Sequence, residues 1–142
     1  VAGVPLRPWV RGMLAALGLV LVTLLITAAC LTPSRRGMGT HQQLGLPPCS
    51  MVQILGVRCP ACGMTTSWAH LLKGQVFSSL RANAGGTLLG LAALALAPWS
   101  LLTALRGRWF WVAPRDEVLL MVSLTIAAVT IVDWLVRVVP WH

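Results

Sequence analysis

Three long runs of apolar residues, separated by two polar stretches, dominate the chain. The first, Gly12 to Thr32, has no charged residue. As a helix, its 21 residues rise about 31 Å, enough to cross the hydrocarbon core of a bilayer. Pro33 blocks continuation, and Arg35 and Arg36 mark the exit. The second run, Ala82 to Leu105, is also uncharged. Its Gly86 and Gly90 form a Gly-x-x-x-Gly pair, read either as a close-approach surface for another helix or as local flexibility. The third run, Val118 to Val139, reaches spanning length only by including Asp133. Arg137 lies one helical turn further on, where an i, i+4 ion pair forms on one face, and a structural role for the pair is expected.

The pattern predicts an all-α integral membrane protein: a single membrane domain with about three transmembrane helices and an interfacial or re-entrant helical hairpin between the first and second. The expected layout is helix at 12–32, a cysteine-containing loop with short amphipathic helices at 33–81, helix at 82–105, loop at 106–117 and helix at 118–139. The first run reads as a retained helix rather than a cleaved signal. It is long enough to span, and Thr27-Ala28-Ala29-Cys30 is a poor lipoprotein cleavage box.

Composition supports this reading. Hydrophobic residues make up 57% of the 142 residues and charged residues 10%, well below the quarter usual in soluble domains. The net charge of +8 would suggest nucleic acid in a soluble domain. Here the arginines flank apolar runs, which fits lipid headgroups, and nucleic acid is not expected as a partner. The expected partner is the lipid bilayer, with other membrane proteins or a second copy of the chain as further classes. Trp9, Trp109, Trp111 and Trp141 fall near run ends, where amphipathic rings prefer the interface.

Chemistry concentrates in the first polar stretch. Residues 38–70 hold Met38, His41, Cys49, Met51, Cys59, Cys62, Met64 and His70, which include three of the four cysteines. These are ligands for soft and borderline metals, zinc and copper(I) among them, and the cysteines also form and exchange disulfides. Cys59-Pro60-Ala61-Cys62 reads as a helix start, with Pro60 at the first helical position and Cys59 near the cap. That helix is expected to run to Leu72 and stop at Gly74, with Val76 to Arg81 as a second short amphipathic piece.

Three readings of the cysteines follow. The leading one is a structural or binding site in a non-enzymatic membrane component. The second is a thiol–disulfide oxidoreductase, with Cys59 attacking and Cys62 or Cys49 resolving. The third is a metal site built from Cys49, Cys59 and Cys62, with His41 and Met64 as further ligands. No cofactor is required by the first reading. His70 is poorly placed as a ligand, because eight helical residues beyond Cys62 put it about 12 Å along the axis. Thr65, Thr66 and Ser67 form a hydroxyl cluster suited to capping or back-bonding.

The string Cys59-Pro60-Ala61-Cys62-Gly63-Met64-Thr65-Thr66 resembles the signature of a family of small bacterial membrane proteins, domain of unknown function 2752. That signature is Cys-Pro-x-Cys-Gly, then Met or Leu, then Thr and Thr or Arg. Gly74 and Asn83 match the same layout, and Gly45-Leu46-Pro47-Pro48-Cys49 looks like a subgroup with a third cysteine. Many relatives carry Arg where this chain has Thr66, and Pro where it has Ala84. The resemblance covers roughly residues 40–105 and implies a multi-pass protein of the bacterial inner membrane. It marks Pro60, Gly63, Thr65, Thr66 and Asn83 as motif positions and implies no activity.

Overall fold

A computed structural model describes residues 3–139. Trp141, expected at an interface, lies outside the described residues. The described chain is helical, with one isolated backbone bridge between Pro5 and Arg108. Six α-helices follow in order: α1 (Pro8–Cys30), α2 (Ser50–Leu55), α3 (Met64–Leu72), α4 (Val76–Ala82), α5 (Ala84–Arg106) and α6 (Asp116–Val138). A 3-10 turn, Thr40–Leu44, precedes α2. Helices α1, α5 and α6 are each 23 residues, long and apolar enough to cross a membrane. This is a multi-pass membrane architecture.

The spanning helices assemble through small residues. Helix α5 buries Gly86, Gly90, Ala93, Ala97, Ser100 and Ala104, spaced three or four apart and therefore on one stripe. Gly18 of α1 meets that stripe so closely that a Cβ there would lie 2.5 Å from Leu101. Dispersion between close backbones does the work here, because apolar side chains gain little by leaving lipid. Arg11 closes the far end of the pair, donating from Nε to the Ala104 carbonyl at 2.7 Å. Leu17, Leu24 and Ile26 of α1 are exposed, as are Leu119 to Val122 of α6, which suits a lipid surface.

The lower half of the α5 stripe receives α3. A Cβ on Gly86 would fall 2.6 Å from the Ser67 hydroxyl, and one on Gly90 would fall 2.9 Å from Leu71. The glycine pair is therefore a close-approach surface. Trp68 secures the contact by donating Nε1–H to the Gly86 carbonyl at 2.9 Å. The chain turns at Gly74, in the left-handed conformation (φ +74°), and returns as α4. Buried Ser79 of α4 bonds the Ser67 carbonyl at 2.7 Å and the Thr87 hydroxyl at 2.8 Å. Helices α3 and α4 form the hairpin between the first and second spans.

Helix α6 has no buried residue and docks through its last turns. Thr130 fills the space over Gly85. Asp133 accepts from the Ala84 N–H at 3.3 Å and pairs with Arg137 at 2.8 Å. Arg137 also donates to the carbonyls of Arg81 at 2.6 Å and Ala82 at 2.9 Å, the free carbonyls at the end of α4. The intramembrane-looking acid is thus part of a clip that fastens α6 where α4 gives way to α5.

Candidate metal centre

The Cys59–Cys62 segment is a turn outside any helix. The Cys62 N–H bonds the Cys59 carbonyl at 3.0 Å, and the Met64 N–H bonds that of Ala61 at 3.1 Å. Helix α3 begins only at Met64, so the expected start at Cys59-Pro60 is corrected. The cause is Gly63. Its φ of +88° interrupts helical geometry, and a Cβ there would sit 2.6 Å from both the Ala82 and Gly37 carbonyl oxygens. The turn is thereby wedged between the end of α4 and the loop after α1.

Asn83 holds the turn from the other side. Its Oδ1 caps α5 by accepting from the Gly86 N–H at 2.7 Å. Its Nδ2 donates to the carbonyls of Pro60 at 3.0 Å and Cys62 at 3.2 Å. Asn83 is buried. One side chain therefore fixes both the first turn of α5 and the cysteine turn. Trp134 of α6 adds a third brace, donating Nε1–H to the Arg58 carbonyl at 2.6 Å. Asn83 was visible in the sequence only as a motif position. Its signal was an Asn immediately before an apolar helix.

Cys49 arrives from a different segment, at the cap of α2. The sulfurs of Cys49, Cys59 and Cys62 all lie within 4.8 Å of one another. The Cys59 thiol donates to the Cys62 sulfur at 3.1 Å. All four cysteines are free, and Cys30, exposed at the end of α1, is outside the cluster. The three sulfurs border a cleft of about 520 Å³, also lined by Met38, His41, Thr65 and Thr66.

The other sequence-marked residues divide. His41 lines the cleft, with Nε2 placed 3.2 Å from the Pro47 carbonyl oxygen. Met64 turns to α5, where its side chain packs on Gly86. His70 lies at the far end of α3 and meets Gln75 at 2.6 Å. The Thr66 hydroxyl is buried and shares a 2.7 Å hydrogen bond with Thr40, which ties the 3-10 turn to α3. Met38 was one of several sulfurs in the sequence cluster, and the fold puts it in the cleft wall.

The thiols are electrostatically unequal. Cys49 is lowered to about 7, first by the Val52 backbone N–H and then by the Cys62 and Cys59 thiols. Cys62 is pushed up to about 12, first by burial and then by the Cys59 and Cys49 thiols. Cys49 therefore ionises well before Cys62, and a cation among the sulfurs would ease the loss of the Cys62 proton.

Residues 49–97 match one family model throughout this stretch. That model describes a protein of unknown function, DUF2752, and the match covers about a third of the chain. The matched stretch opens on Cys49 itself. It takes in the three clustered cysteines, the α3–α4 hairpin and the α5 stripe as far as Ala97. Helices α1 and α6, which brace it from outside, lie beyond the DUF2752 match. No curated protein and no solved structure matches the chain.

Proposed function

We propose that the chain is a non-enzymatic, multi-pass protein of the bacterial inner membrane that binds one zinc(II) or copper(I) ion through Cys49, Cys59 and Cys62. The observation that carries this reading is the convergence of three thiols within 4.8 Å from two separate segments. Two of them lie on a turn braced by Asn83. Three thiolates suit copper(I), and zinc would draw a fourth ligand from the same cleft, where His41 supplies an imidazole. Such a site would be negatively charged. Arg36 lines the cleft, and Arg58 directly precedes Cys59. The ion would join the α2 segment to the cysteine turn, so binding and structural roles coincide.

A second reading rests on the 3.1 Å approach of Cys59 and Cys62, which suits a reversible disulfide. One experiment separates the two. Protein purified in detergent under reducing conditions without chelator is assayed for metal and for reactive thiols. The metal reading expects about one ion per chain, with the three clustered thiols masked until acid or chelator releases them. Metal-free protein that yields a Cys59–Cys62 disulfide once the reductant is removed and a mild two-electron oxidant is added supports the redox reading instead.

A further inference from the structure

Helix α2 is held differently from every other helix described. Like α6, it has no buried residue. Among the described residues it packs on no other helix. Its Ile54 is 80% exposed and its Leu55 is 65% exposed. Among the described residues, and beyond the segment's own turns, one hydrogen bond holds residues 46–57: the 3.2 Å one between His41 and the Pro47 carbonyl. A six-residue helix is far too short to persist by its own hydrogen bonds.

Both ends of the segment are hinged and then fixed. Gly45 (φ +78°) and Gly56 (φ +66°) are left-handed glycines in open space. Beyond Gly56, Arg58 is anchored twice: its guanidinium bonds the Arg36 carbonyl at 3.0 Å, and its own carbonyl accepts from Trp134. Clefts flank the arm. The 520 Å³ cysteine cleft lies on one side, and a second of about 440 Å³ lies toward Arg137 and Val138 of α6. Val52 lines both. Between its hinges, the arm meets the rest of the molecule through the Pro47–His41 bond and the Cys49 sulfur.

Resting on the metal reading above, we propose that residues 46–57 are a metal-controlled strap. An ion shared by Cys49, Cys59 and Cys62 fastens the strap to the braced turn and closes the cysteine cleft. Loss of the ion frees it to swing on Gly45 and Gly56, carrying Ile54 and Leu55 with it. The chemistry is ligand exchange with proton release, and no electron is transferred: metal–sulfur bonds replace sulfur–hydrogen bonds, and the protons go to water. Helix α3, the Asn83 bonds and the spanning helices stay in place in both states.

Hydrogen–deuterium exchange on the full chain in detergent, with zinc(II) or copper(I) alone as the probe and bound metal counted in the same samples, tests this. The expected result is exchange at least about tenfold slower across Ser50–Leu55 in the loaded protein, with Trp68–Leu72 unchanged. In Cys49→Ser the arm stays at the metal-free rate whatever metal is added. Stoichiometric loading of the wild-type protein with unchanged arm exchange overturns the strap and leaves the metal site standing. Metal-dependent slowing of the arm in Cys49→Ser also overturns the strap. Failure of the wild-type protein to bind either ion overturns both.

Discussion

Asn83 and Cys62 are joined by a 3.2 Å bond from the amide Nδ2 to the cysteine carbonyl, while the same amide's oxygen caps α5 on Gly86. This bond couples the spanning bundle to the thiol turn. Asn83→Ala removes a cap worth about 1 kcal/mol and two bonds to carbonyls in a buried setting. We expect about 2–3 kcal/mol of lost stability, read by thermal melting in detergent followed by circular dichroism. Asn83→Asp keeps the capping oxygen but turns acceptors toward two carbonyls. It should weaken metal binding while preserving helix content. Equal behaviour of the two variants would contradict the dual role.

Gly63 and Gly74 offer a matched pair. Both are left-handed, but only Gly63 has carbonyls 2.6 Å from where a Cβ would sit, whereas Gly74 has open space. Gly74→Ala should cost about 1 kcal/mol, the strain of a non-glycine residue at positive φ. Gly63→Ala adds a backbone clash and should cost more than about 3 kcal/mol, with sharply reduced folded yield. Similar yields for the two would remove the wedge from the account.

The thiols should report their unequal environments. The thiolate is the nucleophile, so reactivity follows the ionised fraction. Cys49, lowered to about 7, should show an alkylation rate in metal-free protein that rises through neutral pH. Cys62, pushed up to about 12, should stay slow throughout roughly pH 6 to 9. Because metal must displace these protons, affinity should fall as pH falls. Mass-spectrometric mapping of alkylated peptides across pH checks the first point, and chelator competition checks the second.

The clip on α6 gives a further prediction. Arg137→Ala leaves the Arg81 and Ala82 carbonyls and Asp133 without their donor. The pair is partly exposed, so a cost of about 2 kcal/mol is expected rather than that of a fully buried pair. Arg137→Lys should recover part of the charge interaction but not the forked contact, so its melting point should fall between the two.

Most of the fold was legible in the sequence because lipid imposes a simple rule: long uncharged runs become spanning helices. The stop at Gly74 and the Asp133–Arg137 pairing follow from local spacing, whereas spacing left the glycine pair at 86 and 90 open between close approach and flexibility. The start of α3 did not. Pro60 satisfied the local rule for a first helical position, but the crowding of Gly63 by carbonyls from residues 37 and 82 won, and sequence spacing carries no trace of that contact. The bond from Trp134 to Arg58 joins residues 76 apart and was equally invisible. For the site, the short spacing of Cys59 and Cys62 brought two thiols together. Cys49 joins them only because the arm between Gly45 and Gly56 folds back. The packing of Met64 on Gly86 was not legible from its position two residues past Cys62.

The proposed centre is one ion held by three sulfurs. X-ray absorption at the metal edge of the loaded wild-type protein tests it most directly. The account predicts about three sulfur scatterers, at about 2.3 Å if the metal is zinc, with one sulfur lost in each of Cys49→Ser, Cys59→Ser and Cys62→Ser. A first shell of nitrogen and oxygen alone, unchanged by those substitutions, would contradict it.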